Sequence, residues 1–138
     1  MLCVTVHCDG GARPNPGPAG TGAVVTDDST GAVLAEISEP IGVATSNEAE
    51  YRALILALQK ALAIGATRVA VRVDSELVVK QVSGDYRVKK AHLKPLHAEA
   101  MALLARFHGW TIEHVPRKQN TRADALADGA VQRARSGG

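Results

Sequence analysis

Four acidic residues have the chemical type and the surroundings of metal ligands. They are Asp9 in CDGGARPNPGPAG, Glu50 in TSNEAEYRAL, Asp74 in VRVDSELVV and Asp124 in RKQNTRADALAD. Carboxylate oxygens are the ligands that hard divalent cations prefer, and two such cations held together can hydrolyse a phosphodiester. If these side chains converge, the sequence predicts a metal-dependent site for phosphodiester chemistry.

Two of these acids also have a purely structural interpretation. Glu50 and Asp124 are predicted in the first turns of helices, where any carboxylate complements the helix dipole. Dipole complementarity explains neither Asp9 nor Asp74, which are predicted at the ends of strands. A shared site accounts for all four acids, whereas the dipole accounts for two.

The elements that must position the acids follow from hydrophobic periodicity, with alternation predicting strands and spacings of three and four predicting helices. Strands are predicted at residues 2–9, 20–27, 32–39, 68–73 and 110–115, and helices at 47–64, 75–84, 92–107 and 121–135. Thr45, Ser46 or Asn47 would cap the first helix, and Gly65 would end it. This order predicts a mixed α/β sheet with helices on its faces, its first three strands antiparallel.

Length and composition indicate one domain, residues 1–135, followed by a disordered tail at 136–138. The 138 residues are 46% hydrophobic, enough to bury a core. No apolar run approaches the roughly 20 residues that span a bilayer, and no leader pattern precedes the first strand, which predicts a cytoplasmic protein with no membrane partner. Cys3 and Cys8 lie on one predicted strand about 16 Å apart, beyond disulfide reach.

The charge balance favours a polyanionic partner. The net charge is +2, but without the four proposed ligands sixteen Lys and Arg face ten acids, an excess of six. The basic residues cluster at Arg87, Lys89, Lys90 and Lys94, and again at Arg117, Lys118 and Arg122. The aromatic residues Tyr51, Tyr86, Phe107 and Trp110 are dispersed, so we expect core or half-buried rings and not a base-stacking platform.

The segments DGGARPNPGPAG, TSNEAEY, DSELVVKQ and NTRADALA together resemble the four motifs of type 1 ribonuclease H, in the family's order and over nearly the whole chain. The chain looks like an archaeal-like, short variant without the basic protrusion. The resemblance implies the ribonuclease-H-like fold, a five-stranded mixed sheet of order 3-2-1-4-5 with helices on both faces. It also implies a hydrolase that cuts the RNA strand of RNA/DNA hybrids and leaves 5′-phosphate and 3′-hydroxyl ends.

The resemblance further implies roles for the four acids toward two Mg²⁺ ions, for which Mn²⁺ should substitute. Asp9 resembles the acid that bridges both ions. Glu50 and Asp74 resemble ligands of the ion near the leaving group, and Asp124 resembles a ligand of the ion that carries the attacking water.

Substrate-binding residues are implied in the same way, because RNA displays its 2′-hydroxyls in the minor groove. The candidates near the first two acids are Gly11, Ala12, Arg13, Asn15, Ser46 and Asn47. Glu76 stands where better-known bacterial relatives carry Gln, so the amide contact to substrate is altered. The segment from Asp74 to His92 is too short for the basic handle of those relatives.

A mobile residue before the last acid helps product and metal leave in this family, and two candidates stay open. Ungapped counting from Asp124 offers His114, but strand alternation places His114 on one face with Trp110 and Ile112, as a core histidine. Arg117 lies in the loop itself and resembles the Arg of archaeal-like members, which favours Arg117.

Two other functions remain as alternatives to a hybrid-cutting endoribonuclease acting as a monomer. A DNA-cutting nuclease of the same fold would be expected to carry additional DNA-binding domains. A non-catalytic nucleic-acid binding module would be expected to have lost some of the acids, and all four are present. Cleavage of double-stranded RNA or of single ribonucleotides in DNA stays open, as does membership of a longer, bifunctional protein.

Overall fold

Alternating apolar residues and short turns divide the chain into the elements that its periodicity predicts. The computed structural model describes residues 1–137. The strands are β1 (Leu2–Ala12), β2 (Gly17–Asp27), β3 (Val33–Ala44), β4 (Ala66–Val73) and β5 (Gly109–His114), and the helices are α1 (Ser46–Ala63), α2 (Glu76–Val82), α3 (Lys94–Leu104) and α4 (Thr121–Ser136). A short 3₁₀ turn, Arg117–Gln119, precedes α4.

The strands form one sheet of order β3-β2-β1-β4-β5, which confirms the expected fold class. β1 pairs antiparallel with β2 and parallel with β4, β2 pairs antiparallel with β3, and β5 pairs parallel with β4. β1 is therefore the centre of the sheet. Backbone hydrogen bonds fix the register of its two neighbours, β2 and β4, against it.

Helices cover both faces of the sheet. Val4, Val6 and Cys8 of β1 pack in the main core with the buried side of α1, together with residues of α2 and α3. The other face receives α4, whose Ala123 and Ala127 lie directly against Gly22 of β2. None of the helices within residues 1–137 combines the length and hydropathy needed to cross a membrane.

Five sequence predictions need correction. Asp9 is not at the end of β1, because the ladder with β2 continues through Gly10, Gly11 and Ala12. Glu50 lies in the second turn of α1, because that helix begins at Ser46. Ser136 belongs to α4 and not to a tail, and Gly138 lies outside the described residues.

The other two corrections concern burial. Tyr86 is 49% exposed, because it follows α2 in a loop where Lys80 lies 5.4 Å from its ring centre. His114 is exposed and not a core residue, since it is the last residue of the edge strand β5 and the burial of Trp110 and Ile112 does not extend to it.

Candidate active site

The strand register brings Asp9 and Asp74 together. Cys8 of β1 pairs with Val73 of β4, and each acid directly follows one member of this pair on adjacent parallel strands. Asp9 is only 8% exposed and accepts a hydrogen bond at Oδ1 from the N–H of Gly10 (2.9 Å). All four acids, Asp9, Glu50, Asp74 and Asp124, line one pocket.

Glu50 reaches this pocket because the start of α1 is fixed from two sides. Thr45 Oγ1 accepts from the Glu48 N–H (3.1 Å) while the Thr45 N–H donates to Glu48 Oε1 (2.9 Å), which forms a capping box. Gly10 then lets the helix approach β1, because a Cβ at Gly10 would overlap the Ala49 backbone and stand 2.6 Å from the Glu50 nitrogen. The side chain of Glu50 thereby lines the same pocket as Asp9.

Asp124 reaches the pocket from the opposite face of the sheet. Gly22 pairs with Asp9 across β1 and β2, and a Cβ at Gly22 would overlap backbone atoms of Ala123 and Ala127. Helix α4 therefore packs against the strand pair that carries Asp9. The carboxyl groups of Asp9 and Asp124 lie close enough to interact directly, and Arg117 Nη2 donates to Asp124 Oδ1 at 2.9 Å.

Crowding of the acids changes their proton affinities. Burial, then the contact with Asp124, then the charges of Asp74 and Asp124 raise the pKa of Asp9 to about 8. Burial raises the pKa of Glu50 to about 7, despite a hydrogen bond from Ser75. Burial acts in the same sense on Asp124, but hydrogen bonds from Asp9 and Arg117 hold its pKa below the ordinary value. The pocket thus retains protons that a bound cation would replace.

This proton uptake predicts an unusual pH dependence of stability. Asp9 and Glu50 have folded pKa values above their unfolded values, so the folded chain binds more protons between about pH 4 and pH 8 and stability falls as pH rises through that window. Without Mg²⁺ we expect the free energy of unfolding to drop by several kcal/mol from pH 5 to pH 8, at about 1.4 kcal/mol per pH unit for each group that stays protonated only in the folded chain.

Mg²⁺ at about 10 mM, in large excess over the protein, should bind the folded state and reverse most of that drop by mass action. Urea denaturation at the two pH values, with EDTA or with Mg²⁺, measures the effect. Equal stabilities at pH 5 and pH 8 in EDTA would contradict these proton affinities.

The donor set fits a hard cation in an open site. Within residues 1–137, no group of three or more His, Cys, Asp or Glu side chains is placed so that it could hold a metal ion by itself. Mg²⁺ is usually bound by one or two carboxylates and completes its octahedron with water and substrate phosphates, whereas a structural zinc site is a closed cage of four N or S ligands. A ligand set of carboxylate oxygens in a pocket open to solvent is therefore suited to Mg²⁺ or Mn²⁺.

Most of the predicted substrate-binding residues lie at the pocket or contact it. Gly11, Arg13 and Ser46 line the pocket. The Ala12 N–H donates to Ser46 Oγ (3.3 Å), and the Ser46 N–H donates to Asn15 Oδ1 (3.0 Å), which joins the first loop to the start of α1. Asn47 is the next residue of the same helix turn and is half-buried.

Glu76 is not among the residues that line the pocket. It is an exposed residue at the start of α2, with Lys80 Nζ at 4.0 Å.

Two further residues near the acids were missed by the sequence analysis. Asp128 lines the pocket and forms an ion pair with Arg13, and the signal was its spacing of four from Asp124 on one helix. Asn120 is the other, and it stands inside the NTRADALA motif.

The structure separates the two candidates for the mobile helper. Arg117 lines the pocket, pairs with Asp124 and has a side chain that is 67% exposed. His114 is exposed at the end of β5 and is not among the pocket residues. Contact with Asp124 raises the pKa of Arg117, so this side chain is a permanent cation at the pocket mouth.

Comparisons with known proteins agree with this architecture. A family model described as reverse transcriptase-like matches residues 7–130. The bifunctional protein Rv2228c of Mycobacterium tuberculosis is 50% identical over 131 residues, which are 95% of this chain and 36% of that protein. Ribonuclease HI of Halobacterium salinarum is 44% identical over 93% of this chain and 64% of its own length. The chain thus spans about a third of the mycobacterial relative.

Solved structures extend the likeness to three dimensions. The N-terminal RNase H domain of Rv2228c, solved as a fusion with maltose binding protein, superposes with a TM-score of 0.96 at 47% identity, covering 99% of both chains. LC11-RNase H1 in complex with an RNA/DNA hybrid superposes with a TM-score of 0.88 at 42% identity, covering 95% of this chain and 98% of that one. The chain belongs to the type 1 ribonuclease H family, within the reverse transcriptase-like group.

Proposed function

We propose that this chain is an endoribonuclease that hydrolyses the RNA strand of RNA/DNA hybrids with two bound Mg²⁺ ions, which Mn²⁺ can replace. The observation that carries the proposal is the convergence of Asp9, Glu50, Asp74 and Asp124 on one pocket from both faces of the sheet. The relative LC11-RNase H1, bound to an RNA/DNA hybrid, supports this substrate class.

The four acids would divide the metal binding between them. Asp9, which interacts with both Asp74 and Asp124, would contact both ions. Glu50 and Asp74 would hold one ion and Asp124 the other. Bound there, the two ions would lower the pKa of a water molecule and stabilise charge on the departing 3′ oxygen, which gives 5′-phosphate and 3′-hydroxyl products. The acids themselves orient the cations, and the raised pKa of Asp9 makes proton release accompany metal binding.

Recognition of RNA would fall to the surface that joins the first loop to α1. Asn15 Oδ1 accepts from the Ser46 N–H, so the amide nitrogen of Asn15 is available as a donor next to the start of α1. Donors and acceptors of this kind can read the 2′-hydroxyl, which distinguishes RNA from DNA. Asn47, one residue further along α1, would add a second amide to the same surface.

The experiment that tests the function is a cleavage assay on duplexes labelled in one strand. RNA/DNA, RNA/RNA and DNA/DNA duplexes are incubated with Mg²⁺ and the wild-type chain or its Asp74→Asn variant. We expect cleavage of the RNA strand of the hybrid by the wild type alone. Equal cutting of the DNA duplex would favour a DNA nuclease of the same fold, and no cutting at all would favour a binding module.

Arg117 gives a further prediction for this reaction. Its guanidinium already contacts Asp124 at the open side of the pocket, so it can neutralise charge as product phosphate leaves. Arg117→Ala should lower kcat by about 10- to 100-fold, because product phosphate would leave without that neutralising charge and product release can limit turnover.

Arg122→Ala is a matched control for that variant. Arg122 is also an exposed arginine of this segment, but it pairs with Glu36 and not with an acid of the pocket. The kcat of the Arg122→Ala variant should stay close to that of the wild type. Unchanged turnover of Arg117→Ala under saturating Mg²⁺ would remove Arg117 from the mechanism.

A further inference from the structure

Asn120 is a buried residue at the N-cap position of α4, where its side chain would be expected to cap the helix. It immediately precedes α4 and is 1% exposed, yet its side chain makes no capping hydrogen bond to that helix. Asparagine at this position ordinarily accepts from a backbone N–H of the first turn. Here Nδ2 donates instead to the carbonyl oxygen of Cys8 at 2.8 Å, 112 residues away along the chain.

That bond joins the two elements that carry Asp9 and Asp124. Cys8 is the residue before Asp9 in β1, and the backbone oxygen of Asn120 accepts from the Asp124 N–H at 2.9 Å. The Asn120 N–H also donates to the Arg117 oxygen at 2.9 Å. Asn120 is therefore hydrogen-bonded to β1 at the residue before Asp9, to the backbone of Asp124 and to the backbone of Arg117.

The Asn120 side chain makes one hydrogen bond, the bond to Cys8. Its Oδ1 has no hydrogen-bond partner within residues 1–137, so the bond to Cys8 is the one that fixes the side chain. When both are deprotonated, the Asp9 and Asp124 carboxylates repel each other, and the repulsion is strong where water is partly excluded. Backbone ties on either side of the pair oppose their separation.

We propose that Asn120 is a positioning residue that holds β1 against the first turn of α4, so that Asp9 and Asp124 keep the spacing required to bind divalent cations together. This inference rests on the proposed function. Asn120 touches neither substrate nor metal in this role. It acts through Cys8 on one side and through the α4 backbone on the other.

The test is a Mg²⁺ titration followed by nuclear magnetic resonance, with the amide of Gly10 as reporter because that N–H donates to Asp9 Oδ1. Asn120→Ala removes the amide, and Asn120→Leu keeps its branched shape but cannot donate to Cys8. Both variants should bind Mg²⁺ about 10- to 100-fold more weakly than wild type, the usual cost of losing a group that orients metal ligands. Their kcat should fall while KM for the hybrid changes little.

Val131→Ala is the matched control, since Val131 is a buried residue of α4 that packs beside Gly20, away from the acids. It should lower the stability of the fold and leave Mg²⁺ affinity at the wild-type value. The Leu variant keeps the test decisive if Asn120→Ala does not fold.

Wild-type Mg²⁺ affinity in a folded Asn120 variant would overturn the positioning role alone, provided that the wild type cuts hybrid. If the wild-type chain neither binds Mg²⁺ nor cuts hybrid, the proposed function falls as well, and the inference falls with it.

Discussion

Replacement of Asp9 by Asn is expected to lower kcat for hybrid hydrolysis about a thousandfold or more, equivalent to about 4 kcal/mol of transition-state stabilisation. Asp9 is the most buried of the four acids and interacts with Asp124 and Asp74. Asparagine has nearly the same shape and keeps an acceptor for the Gly10 N–H. It removes the negative charge that would bind cations, so the loss is one of chemistry and not of folding.

The same variant should be more stable than wild type in EDTA at pH 8. Burying the Asp9 carboxylate is unfavourable once it is deprotonated, and a neutral amide avoids that cost, which we expect to be several kcal/mol. Urea denaturation measures the stability and single-turnover cleavage measures the chemistry. Asp85→Asn, which changes an exposed acid outside the pocket, serves as control and should alter neither. Asp9→Asn with wild-type kcat would contradict the assigned role.

Gly10→Ala is expected to destabilise the fold by about 3 kcal/mol or more, a magnitude typical of severe overpacking. The added Cβ would overlap the backbone of Ala49 and crowd the Glu50 nitrogen, and backbone cannot rotate away as a side chain can. Helix α1 must then move off β1, and Glu50 moves with it. Activity should fall even in the fraction of molecules that stays folded.

Gly11→Ala is the control for that steric effect, because nothing lies within 4 Å of the corresponding Cβ position. Its stability should remain within about 1 kcal/mol of wild type, the range of strand propensity differences. Gly22→Ala should resemble Gly10→Ala, since its Cβ would overlap α4 backbone at Ala123 and Ala127. Equal unfolding midpoints for the Gly10 and Gly11 variants would show that close helix approach does not position Glu50.

Periodicity predicted the elements well because burial of one helix face or one strand face is a local property of the sequence. The strand order was available only through the family resemblance, since no local pattern states that β1 lies between β2 and β4. The same limit explains the error at Asp9. Glycines carry no hydropathy signal, so the continuation of the β1–β2 ladder through Gly10 and Gly11 was not visible.

The candidate site was predictable to a similar degree. Four acids with distinctive neighbours identified the pocket, but what holds them together is long-range. The Arg13–Asp128 ion pair and the Asn120 bond to Cys8 join residues more than a hundred positions apart. The sequence left three candidates for the N-cap of α1. The reciprocal bonds of Thr45 and Glu48 identify Thr45 as the cap, so Glu50 lies in the second turn of the helix and not in the first.

Paramagnetic broadening by Mn²⁺ tests the central claim most directly, namely that acids from β1, α1, the end of β4 and α4 form one metal-binding centre. Mn²⁺ is added in substoichiometric steps to the wild-type chain at pH 8, and backbone amide signals are followed. The signals of Asp9, Glu50, Asp74 and Asp124 should broaden first and together. Broadening that begins elsewhere, or that spares any one of these four residues, would contradict the account.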